Sequence, residues 1–286
     1  MNYLKPDTFD EAIALAQKAK GTLRFLAGGT DVLVQLRSDL VTPDTLIDLK
    51  GIAGVKDITR TSEGWDIGIA VSGAEITEHE ELMQDWPGVV EAMDLIGSTQ
   101  VQGRATLVGN LCNGSPAADS VPAMMAAGAS AMTLGPNGTR ELMVTDIPTG
   151  PGQTCLQPGE IITSIHIPAQ KANSGDAYER FIPRTEMDIA VVGCGINLTV
   201  DGDTITGAKV AIGAVAPTIQ LVPDAADALI GSSLDEQALA GLADAVRAAC
   251  NPIDDKRGTI EFRIDVAGVL ARRVAQTAYA RARKAK

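Results

Sequence analysis

The sequence predicts an α+β protein built in two parts. Three observations carry that expectation. Over residues 23–49 a strand, a paired-glycine turn, a short helix and a second strand follow one another, the beginning of an α/β unit. Late in the chain a polar stretch, Pro168-Ala-Gln-Lys-Ala-Asn-Ser-Gly-Asp176, interrupts the pattern. Beyond it come three strand-like runs and then only helical patterns, as in a separate small α+β domain. The 286 residues suit two domains at roughly 150 residues each. The expected division is 1–175, in subdomains of about 1–52 and 53–175, followed by 176–286.

Each element has a local cause. Thr8-Phe-Asp-Glu11 is a capping box that opens a helix with Phe9, Ile13 and Ala16 on one face, and Gly21 stops it. Leu23 to Ala27 reads as a strand, Val32 to Arg37 as a short helix, and Ile47 to Leu49 as a strand. Val55 to Arg60 and Trp65 to Val71 form a hairpin around Ser62-Glu-Gly64. Helical patterns cover Ala74 to Gln84 and Val89 to Ile96, the second ended by Gly97. Thr106 to Asp119 is rich in small residues and turn formers, and Val121 to Ala127 is a short apolar helix. Ser130 to Leu134 and Arg140 to Val144 flank the hairpin signal Gly135-Pro-Asn-Gly138, and Glu160 to Ile167 is a strand. In the second part, Ala177 to Phe181, Ile189 to Val200 and Ile205 to Val215 predict a three-stranded antiparallel sheet, with Asp201-Gly-Asp203 as a turn. Helices over Ala225 to Leu229, Leu234 to Ala249 and Thr259 to about Arg283 complete it.

Composition narrows the function. The chain is 45% hydrophobic and 21% charged, ordinary for a globular protein. No run of 18 uncharged apolar residues occurs, and Met1 to Asp10 lacks the basic and apolar regions of a signal peptide, so no membrane span and a cytoplasmic location are expected. A net charge of -12 disfavours nucleic acid and anionic membranes as partners. The last 16 residues are the exception, with Arg272, Arg273, Arg281, Arg283, Lys284 and Lys286 and no acid. Such a basic end is either a solvated helix tail or a docking element for a partner.

Reactive side chains are sparse. Cys112, Cys155, Cys194 and Cys250 contain no Cys-x-x-Cys pair, which argues against a zinc or iron–sulfur site and suits a reducing compartment. His79 sits in the acidic run Glu78-His-Glu-Glu81, as on an exposed helix face, and His166 alternates with Ile165 and Ile167, as on the outer face of a strand. Neither suggests a catalytic dyad or a metal ligand.

Two glycine-rich segments remain as candidates. In Ala27-Gly28-Gly29-Thr30-Asp31 the glycines let backbone N–H groups approach a phosphate, Thr30 adds a donor, and Asp31 either caps the helix or accepts from a ribose hydroxyl. A purely structural turn explains the same residues. The segment is neither Gly-x-Gly-x-x-Gly nor a P-loop. The second, Thr106 to Asp119, offers Gly109, Asn110, Asn113, Gly114, Ser115 and Asp119, many polar groups with little bulk. Either a long ligand with a pyrophosphate or the loop's own hydrogen bonds satisfy them. Asp119 has two readings of its own, a ligand contact or the N-cap of the following helix. A dinucleotide held between the two halves would carry the chemistry.

Phe25-Leu-Ala-Gly-Gly-Thr-Asp31 and Thr106-Leu-Val-Gly-Asn-Leu-Cys-Asn-Gly-Ser-Pro-Ala-Ala-Asp-Ser-Val-Pro-Ala123 resemble the two flavin-binding motifs of the FAD-binding (medium) subunit of the molybdenum hydroxylase family. That family includes the medium subunit of aerobic carbon monoxide dehydrogenase and the FAD part of xanthine dehydrogenase. Matches continue through Pro158 to Pro168, Tyr178 to Phe181 with Arg184 and Met187 to Ala190, and Asn251 to Arg263, so the resemblance spans essentially the whole chain.

The resemblance implies a two-part α/β FAD-binding domain of the PCMH type, followed by a C-terminal domain of the CO dehydrogenase flavoprotein type. It implies that Ala27, Gly28, Gly29, Thr30 and Asp31, with Thr106, Leu107, Val108, Gly109 and Asn110, cradle the FAD pyrophosphate and its surroundings. Ser115 and Asp119 match further contacts, Ile162 an apolar contact, and Arg180 a position where the family often has lysine near the flavin. Val108 stands where the family usually has a second glycine. The implied activity is that of an electron-transfer oxidoreductase subunit without a metal of its own. Molybdopterin would sit on a large partner subunit and two [2Fe–2S] clusters on a small one, in a dimer of heterotrimers that passes electrons to an external acceptor. A flavin-free scaffold and a stand-alone FAD oxidoreductase are the alternatives.

Overall fold

The computed structural model describes residues 1–184 and 187–285. Three sheets and a short hairpin organise them. The first is a three-stranded parallel sheet, Asn2–Leu4, Thr45–Asp48 and Leu23–Leu26 in that spatial order. The helix Phe9–Lys18 precedes its second strand in the chain, and the Thr8 hydroxyl accepts from the Glu11 amide at 3.1 Å. Glu11 completes the cap by accepting from the Asp7 amide, at 2.9 Å, one residue before the position a capping box would use.

The second sheet has five antiparallel strands in the order Ile58–Arg60, Gly64–Gly68, Ile161–Pro168, Ser130–Gly135 and Gly138–Met143. Alternation fixes its faces. Ile165 and Ile167 are buried, while His166 points the other way and meets Asp66 of the neighbouring strand at 2.8 Å. The hairpins about residues 62–64 and 136–137 occur where the turn residues put them.

The helix expected over residues 74–84 is instead two, Gly73–Thr77 and Glu80–Asp85. His79 causes the break: its Nδ1 accepts from the Leu82 amide at 3.2 Å, so it caps the second helix rather than lying on an exposed face. Its ring also packs edge-on against Trp65, 5.1 Å between centroids.

The C-terminal sheet has four antiparallel strands rather than three: Ser174–Phe181, Val192–Asp201, Thr204–Gly213 and Gln220–Leu221. The fourth is two residues long, too short to show a period of two. The helix Ile260–Ala282 covers this sheet with Ala267, Leu270, Val274 and Ala278 buried, the spacing of one helical face. Its arginines do not stand free. Arg272 meets Glu236, Arg273 meets Glu179, Arg281 meets Glu91 and Arg283 meets Asp203, all within the chain. The basic end is therefore drawn onto the acidic body, and Lys286 lies outside the described residues.

Two helices join the two parts, Pro87–Asp94 against the strand Ser174–Phe181 and Ser120–Ala127 against the next two strands. Ser120–Ala127 is buried at all eight positions, because one side meets the core of the first part and the other meets the C-terminal sheet. Among the described residues no helix is long and apolar enough to cross a membrane.

Candidate cofactor-binding cleft

A cavity of about 640 Å³ lies between the parallel sheet and the five-stranded sheet, a size typical of small-molecule sites. The first glycine-rich segment forms one wall, through Ala27, Gly28, Gly29, Thr30 and Asp31. Thr106, Val108 and Gly109 stand opposite, and Ile161 and Ile162 form an apolar floor.

The first wall has a forced shape. Gly29 adopts φ +85°, a region open to glycine, and a Cβ on Gly28 would lie 2.0 Å from the Arg104 carbonyl oxygen. Among the described residues, the amides of Gly28, Gly29, Thr30 and Asp31 donate to no protein acceptor. Successive unpaired N–H groups at a turn leading into a helix suit an anion. Asp31 makes no side-chain cap, and partial desolvation holds its carboxyl above the ordinary range. Arg24 is the one cationic side chain among the described lining residues.

The second wall is folded on itself. Residues Leu107–Cys112 form a helix, and the Thr106 hydroxyl accepts from the Gly109 amide at 2.9 Å. Asn110 Oδ1 accepts from both the amide (3.2 Å) and the hydroxyl (2.7 Å) of Ser120, and so performs the capping that Asp119 does not. Ser115 Oγ accepts from the Ala117 amide at 3.2 Å. Leu107 is turned into the core. Leu107, Asn110, Ser115, Asp119 and Arg180 are thus placed outside the described lining of the cavity, whereas Ala27 to Asp31, Thr106, Val108, Gly109 and Ile162 converge on it.

Asp119 and Arg180 meet each other instead. Arg180 Nη1 donates to Asp119 Oδ2 at 2.6 Å, and the Tyr178 hydroxyl donates to Oδ1 at 2.8 Å. All three are largely buried. Burial pushes the Asp119 carboxyl up to about 6, against the opposing pull of Arg180 and Tyr178. The Arg180 Nε is buried without a partner. This cluster ties the second glycine-rich segment to the first strand of the C-terminal sheet. Tyr178 gave no sequence signal beyond its neighbourhood to Arg180.

A third wall was not legible in the sequence. The hairpin Pro148–Gly150 and Gln153–Thr154 brings Gly152 and Thr154 to the cavity, and the Gly152 amide donates to the Gly114 carbonyl at 2.9 Å. Glu160 also borders it. Its carboxylate accepts from Arg140 Nε (2.6 Å) and Nη2 (2.7 Å), from the Thr133 hydroxyl (2.7 Å) and from the Gln157 amide (2.8 Å). Arg140 first, then these donors, hold it down at about 2 despite burial.

Among the described residues no histidine lines the cleft, and no cluster of His, Cys, Asp or Glu is arranged for a metal. The lining offers binding groups, which fits a cofactor that brings its own chemistry. Unpaired amides beside an arginine suit a pyrophosphate, and the isoleucine floor suits a flat apolar ring.

Comparison with known proteins agrees. Residues 1–170 match the family described as the FAD binding domain in molybdopterin dehydrogenase, and residues 177–278 match the CO dehydrogenase flavoprotein C-terminal domain. The chain is 33% identical to the carbon monoxide dehydrogenase medium chain of Afipia carboxidovorans, over 99% of this chain and 98% of that one. It is 29% identical to a putative xanthine dehydrogenase FAD-binding subunit of Escherichia coli, over 98% and 97%. A crystal structure of the Cu,Mo-CO dehydrogenase superposes with a TM-score of 0.95 at 31% identity, covering 98% of both chains. The chain therefore belongs to the FAD-binding family of the molybdopterin dehydrogenases, a family of oxidoreductase subunits.

Proposed function

We propose that this chain binds FAD in the cleft between its two α/β halves and serves as the electron-transfer subunit of a molybdenum hydroxylase complex. The observation that carries the reading is the row of unpaired amides at Gly28 to Asp31, facing Thr106 and Gly109 across a cavity of cofactor size. When bound, the flavin supplies the redox chemistry that no side chain of the cleft provides. The chain's own part is binding and orientation. The amides of Gly28 to Asp31 hold the pyrophosphate, helped by the Arg24 charge and the Thr106 hydroxyl. Ile162 packs on the apolar part of the cofactor. Leu107, Val108 and Asn110 keep the opposite wall in shape, and Ser115, Asp119 and Arg180 carry the site towards the second domain.

The division at about residue 175 follows the same reading, with residues 1–175 as the FAD-binding domain and 176–286 as the C-terminal domain. The partners are a large molybdopterin subunit and a small subunit with two [2Fe–2S] clusters, assembled as a dimer of heterotrimers in the cytoplasm. Electrons arrive from those clusters and leave to an external acceptor.

Native purification tests this. One FAD per chain, co-eluting with molybdenum and iron on two other subunits, is the expected result. An assembly with molybdenum but no flavin would make the chain a scaffold. A flavin-loaded chain that elutes without molybdenum would make it a stand-alone oxidoreductase.

A further inference from the structure

The strand Ser174–Phe181 is the outer edge of the C-terminal sheet, and it lies against the first part of the molecule. An exposed edge leaves N–H and C=O groups without partners. Here side chains close it. The Tyr178 amide donates to Glu91 Oε2 at 3.3 Å, and Arg281 Nη1 donates to the Asp176 carbonyl at 2.8 Å. Arg281 and Glu91 are themselves paired.

Asp176 stands inside this closure and is the anomaly in it. The residue is 3% exposed, and among the described residues neither carboxyl oxygen has a hydrogen-bond partner. Its cross-strand neighbour is Asn197, whose Oδ1 is also buried and, among the described residues, without a partner. The Asp176 carbonyl points off the sheet towards Arg281, so the pair is a non-hydrogen-bonded one, whose side chains share a face and approach most closely. Among the described residues these three oxygens thus close no hydrogen bond, although the pairing brings the two side chains to one face of the sheet. Leaving such groups unpaired is costly, and a single proton removes the mismatch.

We infer that Asp176 is held as a neutral carboxylic acid whose proton, donated to Asn197 Oδ1, satisfies the buried oxygens of this cross-strand pair where the sheet meets the first part of the chain. The charged groups around it support this. Glu91, on the helix Pro87–Asp94, opposes a second negative charge. Arg281, on the last helix, favours one, but its guanidinium is engaged by Glu91 and by the Asp176 backbone. The Gly88 amide, in the first turn of the Pro87–Asp94 helix, also favours the anion without closing a hydrogen bond. Lys209, the only other charge in the cross-strand row, lies opposite Asn197 with its ammonium beside Gly128. The helix Ser120–Ala127 brings no charged side chain to the sheet. Burial outweighs the attractions and pushes the Asp176 carboxyl up to about 7.

The linkage has a definite sign. A carboxyl whose folded pKa is raised binds a proton in the folded state that the unfolded chain has released. Folding therefore weakens as pH rises from about 4 towards 7, by up to about tenfold per pH unit in the unfolding constant, and levels off above. Asp119 contributes in the same direction, so the test is a difference between two proteins. Urea unfolding of the full chain and of its Asp176→Asn variant is compared from pH 5 to pH 8. The variant should lose less stability than the parent across this range, and be the more stable of the two at pH 8. Parallel curves would overturn the inference, because a turned Asn197 amide would then be donating to an ionised Asp176. Infrared difference spectra give a second reading that folding defects cannot mimic. A protonated-carboxyl C=O band should be stronger in the parent than in the variant at pH 6, where Asp119 contributes to both, and the two proteins should match at pH 8.5. Equal bands in the two proteins at pH 6 would equally exclude the neutral acid.

Discussion

The two glycine-rich segments that face one another across the cleft handle backbone polarity in opposite ways. Among the described residues, Gly28 to Asp31 leave four consecutive amides without a protein acceptor and make no side-chain cap. Thr106 to Asp119 spend their polar groups internally: Thr106 on Gly109, Asn110 on Ser120, Ser115 on Ala117, and Asp119 on Tyr178 and Arg180. The first segment is incomplete without a ligand, while the second is a scaffold that presents Thr106, Val108 and Gly109. From sequence, a ligand site and a self-satisfied turn were both open for each segment, because small polar residues look alike whether or not their hydrogen bonds are already made.

The contrast predicts where substitutions act. Gly29→Val gives the largest effect. A β-branched residue at φ +85° is strained by about 3 kcal/mol, and its Cβ would lie 2.8 Å from Leu26 Cδ1. Relief of that strain moves the unpaired amides, and FAD affinity should fall by roughly a hundredfold in a fluorescence titration. Unchanged affinity in a folded variant would remove the first segment from the site.

Glu160→Gln acts on the wall between the two segments. Glu160 is held well below the unfolded value, so its contribution is present above about pH 4.5 and is lost as pH falls towards 2. Arg140 is open to solvent, which screens the pair. The variant should be less stable by about 1–2 kcal/mol at pH 7, and the gap to the parent should close with acid. A gap that persists at pH 2.5 would mean packing, not charge, is lost.

Asn110→Ala should show the smallest change and the most diagnostic division. It removes the cap on Ser120 and costs about 1 kcal/mol of stability in urea. FAD affinity should change several times less than in Gly29→Val. An affinity loss that matches Gly29→Val would put Asn110 on the cofactor and end the contrast between the segments.

What was legible in the sequence follows the reach of each signal. Paired glycines before a helix, strict alternation about His166 and the one-sided apolar spacing of the last helix are local, and the structure contains all three. The strand Gln220–Leu221 and the hairpin at residues 148–154 are too short to carry a period. The break at His79 depends on a ring nitrogen replacing a more usual capping oxygen. Tyr178 and Arg281 gain their partners from residues 59 to 190 positions away, so their roles arise only when the two parts of the chain pack.

Under the proposed function the cleft, and not a partner subunit, holds the flavin. Titration of the isolated, flavin-stripped chain with FAD, followed by protein and flavin fluorescence, tests it directly. Saturable binding of one FAD per chain, abolished or severely weakened by Gly29→Val and retained by Asn110→Ala, is the predicted result. A folded chain that shows no saturable binding, or that binds equally well with Gly29→Val, would contradict the assignment.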